Sequence, residues 1–248
     1  MRICTFLMIF SLIFSCTSKK ETTIKALLLT GGCCHNYEYQ KKKIQEFTSK
    51  KLNIKWDVLH EGGVLKDHKL SIYNSENWSD KYDVVVHNEC FGKMIDDNFI
   101  NNAVNDHLKS DIGIVMLHCA MHTYRKADEG KDAWTKMIGL ESKKHDHQDN
   151  YIVNNVAPQH PIMKNFPKEW KTPKDELYIV AQEYKSMTPL ATAKSFKDNK
   201  NHTCIWTNEI GDNKIFGITF GHNDETFDSP EFQDVFNRGL LWTTGSLK

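Results

Sequence analysis

Histidine recurs just after four apolar segments (24–30, 82–86, 112–117 and 215–220), and these positions carry most of the chemistry that the sequence offers. The chain has 12 histidines among 248 residues, and imidazole is well suited to metal ligation and to proton transfer near neutral pH. The His and Glu residues that follow the four segments are His35, His87, Glu89, His118, His122, His222 and Glu225. Such a set fits zinc or a similar divalent ion, and it fits metal-free acid–base catalysis equally well.

A catalytic ion needs three protein ligands and one open position, and this requirement suggests roles for the residues. We predict that His35, His118 and His222 hold a divalent metal such as zinc. His118, His222 and Glu225 are the predicted catalytic residues. The predicted substrate-binding residues are His87, Glu89, His122, Tyr124 and Arg125. The sequence has no HExxH, GxGxxG or P-loop motif, so we discount nucleotide binding.

The apolar segments must be strands of one sheet for these residues to meet. Residues 24–30, 54–59, 82–86 and 112–117 are short and apolar, which is typical of strands covered on both faces. Helices are predicted between them at 37–50, 96–109 and 131–137. This alternation predicts an α/β fold with a doubly wound, mostly parallel sheet and helices on both faces. Ligands bind beyond the carboxyl ends of such strands, so we expect the histidines to converge on one rim.

The second half of the chain follows a different pattern. Short strands are predicted at 151–156, 176–182 and 190–193, and a strand pair at 202–208 and 214–220 is joined by a Gly-Asp-Asn turn. We therefore predict a small antiparallel extension of the sheet, followed by a last helix from Pro230 to about residue 242. His145, Asp146 and His147 are predicted to form a solvated charge cluster in a polar loop.

The N-terminus has the pattern of an export signal. The apolar run at residues 3–14 is too short to span a bilayer but suits a signal peptide, and the residues before Cys16 resemble a lipobox. We predict a signal peptide at 1–15, a lipid-anchored tether at 16–23 and a folded domain at 24–248. Lipidation of Cys16 predicts a membrane-anchored lipoprotein of the outer membrane that faces the periplasm.

The net charge of the chain bears on which class of macromolecule it can bind. The chain has 32 basic and 32 acidic residues, so its formal net charge is zero. This balance argues against a nucleic-acid partner, because phosphate binding needs a basic excess. A homo-oligomer remains open.

The cysteines admit a second kind of chemistry. The whole chain has seven cysteines. Those within 24–248 are odd in number and include no CxxC pair, so we predict that most of them are small buried residues rather than members of a disulfide framework. The adjacent residues Cys33 and Cys34 are poorly placed to pair with each other. Cys119 follows a strand, so a Cys–His amidase with His222 as base and Glu225 as orienter is an alternative. The residues that flank Cys119 lack the small side chains of a tight nucleophile turn.

Seven further segments carry a family resemblance. They are GGCCHNYE (31–38), VVHNECFG (85–92), IVMLHCAMHTYR (114–125), HPIMKNFP (160–167), DELY (175–178), TPLATA (188–193) and FGITFGHNDETF (216–227). Together they resemble the trehalose-utilisation (ThuA-like) family, whose fold is similar to that of class I glutamine amidotransferases. The resemblance implies that His222 and Glu225 occupy the catalytic His and Glu positions of that fold, although the amidotransferase nucleophile motif is absent. It also implies sugar catabolism, including routes through 3-keto sugars.

These observations lead to one leading hypothesis and two rivals. The leading hypothesis is a carbohydrate-active lipoprotein, either a hydrolase, a lyase or an isomerase, that acts on a sugar or 3-keto glycoside in a His- and Glu-lined, metal-binding pocket. The first rival is a non-catalytic sugar-binding lipoprotein. The second rival is the Cys–His amidase.

Overall fold

A computed structural model describes residues 22–124 and 133–247. The predicted signal peptide, the predicted lipidation site Cys16 and the predicted substrate-binding residue Arg125 lie outside the described residues. Within the described ranges, no helix has the length and apolar character needed to cross a membrane. The strands are β1 (Ile24–Gly32), β2 (Ile54–Glu61), β3 (Val84–Cys90), β4 (Gly113–Leu117), β5 (Leu140–Asp149), β6 (Ile152–Asn155), β7 (Glu169–Lys171), β8 (Asp175–Glu183), β9 (Met187–Lys194), β10 (Asn201–Ile210) and β11 (Asn213–Ile218). The α-helices are α1 (Tyr37–Ser49), α2 (Asp97–Leu108), α3 (Ala133–Ile138), α4 (Asp224–Asp228) and α5 (Pro230–Thr243).

Five neighbouring strands form the parallel half of the main sheet, whose order is β2-β1-β3-β4-β11-β10-β9-β6-β7. β1 pairs in parallel with β2 and β3, and β4 pairs in parallel with β3 and β11. Helices cover both faces, which explains the continuous apolar runs. Ile44, Phe47 and Phe236 of α1 and α5 pack on one face, and Val104 and Trp134 of α2 and α3 pack on the other. The predicted α/β class is confirmed.

The remaining strands are antiparallel. β10, β9, β6 and β7 continue the main sheet, and β5 pairs with β8 in a separate two-stranded sheet. The predicted antiparallel extension is therefore confirmed. The prediction of a polar loop at His145, Asp146 and His147 is wrong, because these residues lie in β5. Asp146 is buried and accepts hydrogen bonds from the Ser195 hydroxyl at 2.7 Å and the Lys197 N–H at 3.0 Å. A polar side chain therefore occupies a buried strand position where the sequence pattern is expected to show an apolar one.

Candidate active site

Three strand ends bring three histidines together. His35 follows the Gly31-Gly32 end of β1, His118 follows β4 directly, and His222 follows β11 after a short connection. We call these residues the histidine triad. The small sheet completes this rim, because β8 contributes Glu176 and Tyr178 from the opposite side. The expected convergence of strand-end histidines is therefore seen for three of the four segments.

Hydrogen bonds fix the tautomers of two members of the triad. His118 Nδ1 donates to the carbonyl of Thr219 at 2.7 Å. His35 Nδ1 lies 3.0 Å from the hydroxyl of Tyr37, and that hydroxyl donates to the carbonyl of Cys33, so it accepts from His35. Both rings consequently keep an unprotonated Nε2. This arrangement, with one ring nitrogen held by an outer partner, is typical of metal-ligating histidine.

The spacing of the triad suits a single ion. The ligand atoms of His35, His118 and His222 all lie within 4.8 Å of one another, and His35 Nε2 is 3.2 Å from His222 Nδ1. Two nitrogens bound to one tetrahedral zinc are about 3.3 Å apart, as bond lengths near 2.0 Å require. Small side-chain adjustments would bring the third nitrogen to the same spacing.

Burial keeps two of the imidazoles neutral, which is the form that binds metal. Desolvation and the neighbouring His222 lower the pKa of His35 to about 4. Desolvation and the neighbouring His35 hold the pKa of His118 well below its ordinary value. In His222, burial acts to lower the pKa, but the hydrogen bond to Glu176 and the charge of that carboxylate outweigh burial and raise it.

Asp175 positions the loop that carries His222. Its buried carboxylate accepts hydrogen bonds from the N–H of Gly221 at 3.0 Å, from the N–H of His222 at 3.1 Å and from the hydroxyl of Thr226. Gly221 has a φ of 133°, a conformation that glycine adopts without steric cost. Burial raises the pKa of Asp175 to about 6, although its hydrogen bonds act in the opposite direction.

Glu176 is the carboxylate closest to the triad, and the sequence analysis did not single it out. Its Oε2 lies 3.2 Å from His222 Nδ1, 3.4 Å from His145 Nδ1 and 3.7 Å from His118 Nε2. Burial acts to raise the pKa of Glu176, but the hydrogen bond and charge of His222 outweigh it and lower that pKa. The DELY segment contains Glu176, but a sequence does not show that β8 brings this side chain to the triad.

His35 and His222 line a cavity of about 530 Å³, which is within the usual range for small-molecule sites, whereas His118 is buried and does not line it. His122, a predicted substrate-binding residue, lies in the cavity wall, and its ring stacks on Tyr178 with the ring centroids 4.0 Å apart. Four exposed lysines also line the cavity: Lys66, Lys93, Lys144 and Lys197. The cavity therefore combines proton-transfer groups with hydrogen-bond donors at its mouth.

Other predicted site residues lie elsewhere. His87, Glu89 and Tyr124 are buried in the core and do not line the cavity, so they lack the exposure that direct substrate binding requires. Glu225 is exposed and lines a shallow depression beside His222. Within residues 22–124 and 133–247, no hydrogen bond or ion pair reaches the Glu225 carboxylate.

His87, His107 and Glu89 form a second histidine–glutamate group, which we call the buried cluster. His107 Nδ1 donates to the carbonyl of Ala103 at 2.7 Å, so His107 Nε2 accepts from His87 Nε2 at 3.0 Å. His87 Nδ1 then faces Glu89 Oε1 at 2.9 Å, and the two groups share one proton. Burial and the neighbouring His87 lower the pKa of His107 to about 3.

The cysteines depart from the prediction. Cys33 is bonded to Cys34 and Cys90 to Cys119, whereas Cys204 is a buried free thiol. Cys90 ends β3 and Cys119 follows β4, and because these strands are neighbours the two Cα atoms lie 5.2 Å apart, a spacing suited to a disulfide. In this bond Cys119 has no thiolate with which to attack a substrate, so the geometry does not support the amidase alternative.

The family model for trehalose utilisation (ThuA) matches residues 25–243. The chain belongs to the ThuA family. The predicted resemblance is therefore confirmed, and membership supports a carbohydrate-related role. No curated protein sequence matches this chain.

Solved structures show the same fold at low sequence identity. A ThuA-like protein from Parabacteroides merdae is 19% identical, with a TM-score of 0.68 and coverage of 92% of each chain. A ThuA-like protein from Bacteroides uniformis is 16% identical, with a TM-score of 0.66 and coverage of 93% of this chain and 95% of that chain. A GMP synthase subunit from Thermoplasma acidophilum is 10% identical, with a TM-score of 0.56 and coverage of 90% of this chain and 95% of that chain. The amidotransferase-like scaffold predicted for the ThuA family is thus also seen.

Proposed function

We propose that this ThuA-family protein is a carbohydrate-processing enzyme, either a hydrolase, a lyase or an isomerase, that acts on a sugar or 3-keto glycoside. The observation that carries the proposal is the convergence of the histidine triad and Glu176 at one cavity, which His35, His222 and Glu176 line. ThuA membership supports the carbohydrate class of substrate. The cavity size suits a small sugar.

The triad is the proposed site for a divalent ion such as zinc. Three features support the fit: the outward hydrogen bonds of His35 and His118, the spacing of the ligand atoms, and the neutral state of these two rings. When bound, such an ion would polarise a sugar oxygen or activate water. Three protein ligands leave one tetrahedral position open, which is typical of catalytic rather than structural sites.

Glu176 is the proposed general base. Its carboxylate faces two members of the triad, and the neighbouring His222 lowers its pKa, an effect that the positive charge of an ion on the triad would replace. A base at this position can take a proton from water or from a carbon beside a ketone. The Nδ1 of the exposed His145 lies 3.4 Å from Glu176 Oε2 and donates to the carbonyl of Asp146 at 2.8 Å, so it is a hydrogen-bond donor beside the base.

The remaining cavity residues suit substrate binding. The hydroxyl of Tyr178 lies 3.4 Å from His118 Nε2 and therefore stands close to the reacting centre. The four lysines at the mouth can donate hydrogen bonds to sugar hydroxyls, and their charge stabilises an oxyanion. We assign Tyr178 and these lysines the positioning role that the sequence analysis gave to His87, Glu89 and Tyr124.

We also propose that the protein is a lipoprotein, anchored through Cys16 to the outer membrane and facing the periplasm. The apolar segment at 3–14 supports export. Two disulfides in the described residues are consistent with an oxidising compartment. The zero net charge supports the absence of a nucleic-acid partner, and a homo-oligomer stays a prediction.

The test is turnover of a panel of glycosides and their 3-keto derivatives by the purified protein. We expect chelation to abolish turnover and zinc to restore it. Glu176→Gln should lower kcat about 100-fold or more, because it removes the base. Glu183→Gln, at the far end of the same strand and outside the cavity lining, should keep wild-type turnover.

Three outcomes decide between the candidate functions. Full turnover after chelation would overturn the metal site. Unchanged kcat in Glu176→Gln would overturn the assignment of the base. Sugar binding without turnover by the zinc-loaded protein across the whole panel would overturn the enzyme and favour the sugar-binding lipoprotein.

A further inference from the structure

The cavity wall next to the triad carries four cysteines, which the proposed function does not use. Cys33, Cys34, Cys90 and Cys119 all line the cavity, and His35 lies beside them. We propose that reduction of the Cys90–Cys119 disulfide creates a second metal site, made of Cys90, Cys119 and His35, for a thiophilic ion such as zinc. This site shares His35 with the histidine triad, so the two sites compete for one ligand.

The geometry of the three ligands supports the site. The sulfurs of Cys90 and Cys119 and a ring nitrogen of His35 lie within 4.8 Å of one another. Two thiolates on one tetrahedral zinc are about 3.8 Å apart, given zinc–sulfur bonds near 2.3 Å. Cysteines with Cα atoms 5.2 Å apart can reach that separation by side-chain rotation alone.

The backbone around the two cysteines is held together without the disulfide. The Thr123 hydroxyl accepts from the N–H of Phe91 at 3.1 Å and donates to the carbonyl of Glu89 at 3.1 Å. The N–H of Thr123 also donates to the carbonyl of Cys119 at 3.0 Å. Thr123 therefore ties the end of β3 to the segment after β4, and we expect both cysteines to keep their positions after reduction.

The chemistry is a two-electron exchange followed by ligation. A dithiol attacks the Cys90–Cys119 bond, closes into its own disulfide, and leaves two thiols on the protein. The ion then displaces both thiol protons to solvent and gains two thiolates and one imidazole, a ligand set known from catalytic zinc sites. In the oxidised protein the sulfurs are bonded to each other, and His35 remains available to the triad.

Cobalt(II) is the probe, because thiolate ligation produces a near-ultraviolet charge-transfer band that nitrogen and oxygen ligands do not. The full-length protein is reduced with a dithiol, freed of reductant under nitrogen, and titrated with cobalt(II) beside an oxidised sample. We expect the band in the reduced protein and its absence in the oxidised protein. A reduced protein without the band would overturn the proposal.

Variants locate the ligands. We expect Cys90→Ser and Cys119→Ser each to lose the band, and the double variant Cys33→Ser/Cys34→Ser to keep it. The double variant also keeps the reduced-protein experiment informative where a single variant fails to fold. A band that persists without Cys90 or Cys119, or that disappears with the double variant, would contradict the assignment.

One further variant separates this site from the triad. His222→Ala removes a triad ligand but leaves His35, Cys90 and Cys119 in place, so the reduced variant should keep the charge-transfer band. Failure of the proposed catalytic function therefore leaves this site testable. Loss of the band in His222→Ala would show that the thiols do not form a site apart from the triad.

Discussion

The triad with Glu176 and the buried cluster each combine histidines with one glutamate, yet only the first group has residues that line a cavity. Val85, His87 and Glu89 occupy every second position of β3, so their side chains lie on the same face of the sheet. The helices α2 and α3 cover that face. The rings of Trp78 and Trp134 pack edge-on against His107 and His87 and exclude solvent. A strand-end position therefore brings a histidine to the rim, and the face of the sheet decides whether a substrate can reach it.

The two groups also differ in the protonation of their histidines and glutamates. In the buried cluster, the hydrogen bond from His107 to Ala103 forces His87 and Glu89 to share a proton. In the cavity, Glu176 is held as a carboxylate while His35 stays neutral. The first arrangement stabilises a core, and the second leaves a base and open ligand positions facing solvent.

The largest expected contrast is in stability. Glu89→Ala should lower the free energy of unfolding by about 3–5 kcal/mol, because it leaves His87 Nδ1 without its hydrogen-bond partner and opens a cavity in a dry core. Glu176→Ala should lower it by about 1 kcal/mol or less, because water in the cavity can solvate His222. Urea denaturation of both variants at pH 7 measures the difference.

Glu169→Ala is the control for this comparison, since Glu169 is exposed on β7. We expect its unfolding free energy to be close to that of the wild type. Equal losses in Glu89→Ala and Glu176→Ala would mean that burial does not distinguish the clusters.

The same contrast explains which parts of the fold the sequence could predict. Helices cover both faces of the parallel half, so its strands are apolar throughout. The continuous apolar runs at 24–30 and 112–117 therefore predict buried strands from sequence alone. β5 gave no such signal, because its inward-facing Asp146 is stabilised by hydrogen bonds to Ser195 and Lys197. Polar inward contacts are invisible to a pattern of apolar residues.

The site residues also differ in whether they could be predicted from the sequence. Each member of the triad follows its own strand, so its position could be predicted from local sequence. Glu176 and the Cys90–Cys119 pair could not be predicted, because each depends on segments distant in the chain. The burial of His87 could not be predicted either, because alternation along β3 does not show which face the helices close.

The pH dependence of stability should sharpen the comparison. The pKa of His107 falls to about 3 on folding, so between pH 6.5 and 3 the unfolded chain binds a proton that the folded chain excludes. Stability contributed by neutral His107 is therefore lost as pH falls through this window, by up to about 1.4 kcal/mol per pH unit. His107→Gln should flatten the stability profile measured by urea denaturation between pH 6.5 and 4.

Asp175 acts in the opposite direction over part of this range, because its pKa is raised to about 6 on folding. Its contribution is the same in wild type and His107→Gln, so it cancels in the difference between their profiles. Parallel profiles for the two proteins would contradict the assignment of His107 as a neutral core residue.

Asp175→Asn tests whether the triad depends on the buried Asp175 carboxylate, which positions the loop that carries His222. Asn keeps one acceptor but presents an N–H₂ group to donors of the loop at Gly221 and His222, so we expect a loss of about 1–3 kcal/mol in unfolding free energy. Zinc affinity should fall about 10-fold to 100-fold, because His222 loses its fixed orientation. Calorimetric zinc titration measures this effect, and wild-type zinc affinity in a destabilised Asp175→Asn would limit Asp175 to a structural role.

The smallest expected effect concerns Glu225, which belongs to neither cluster. The family resemblance assigns it a catalytic role, but its exposed carboxylate lines a shallow depression that His35 and His222 also line, whereas Glu176 makes the close contacts with His222 and His118. Glu225→Gln should therefore leave kcat within about twofold of wild type and the unfolding free energy within about 0.5 kcal/mol, as is typical of exposed sites. Steady-state kinetics beside Glu176→Gln measure the contrast. A loss of kcat in Glu225→Gln as large as that in Glu176→Gln would require α4 to move its first turn toward the triad during turnover, and the base would then be assigned to Glu225.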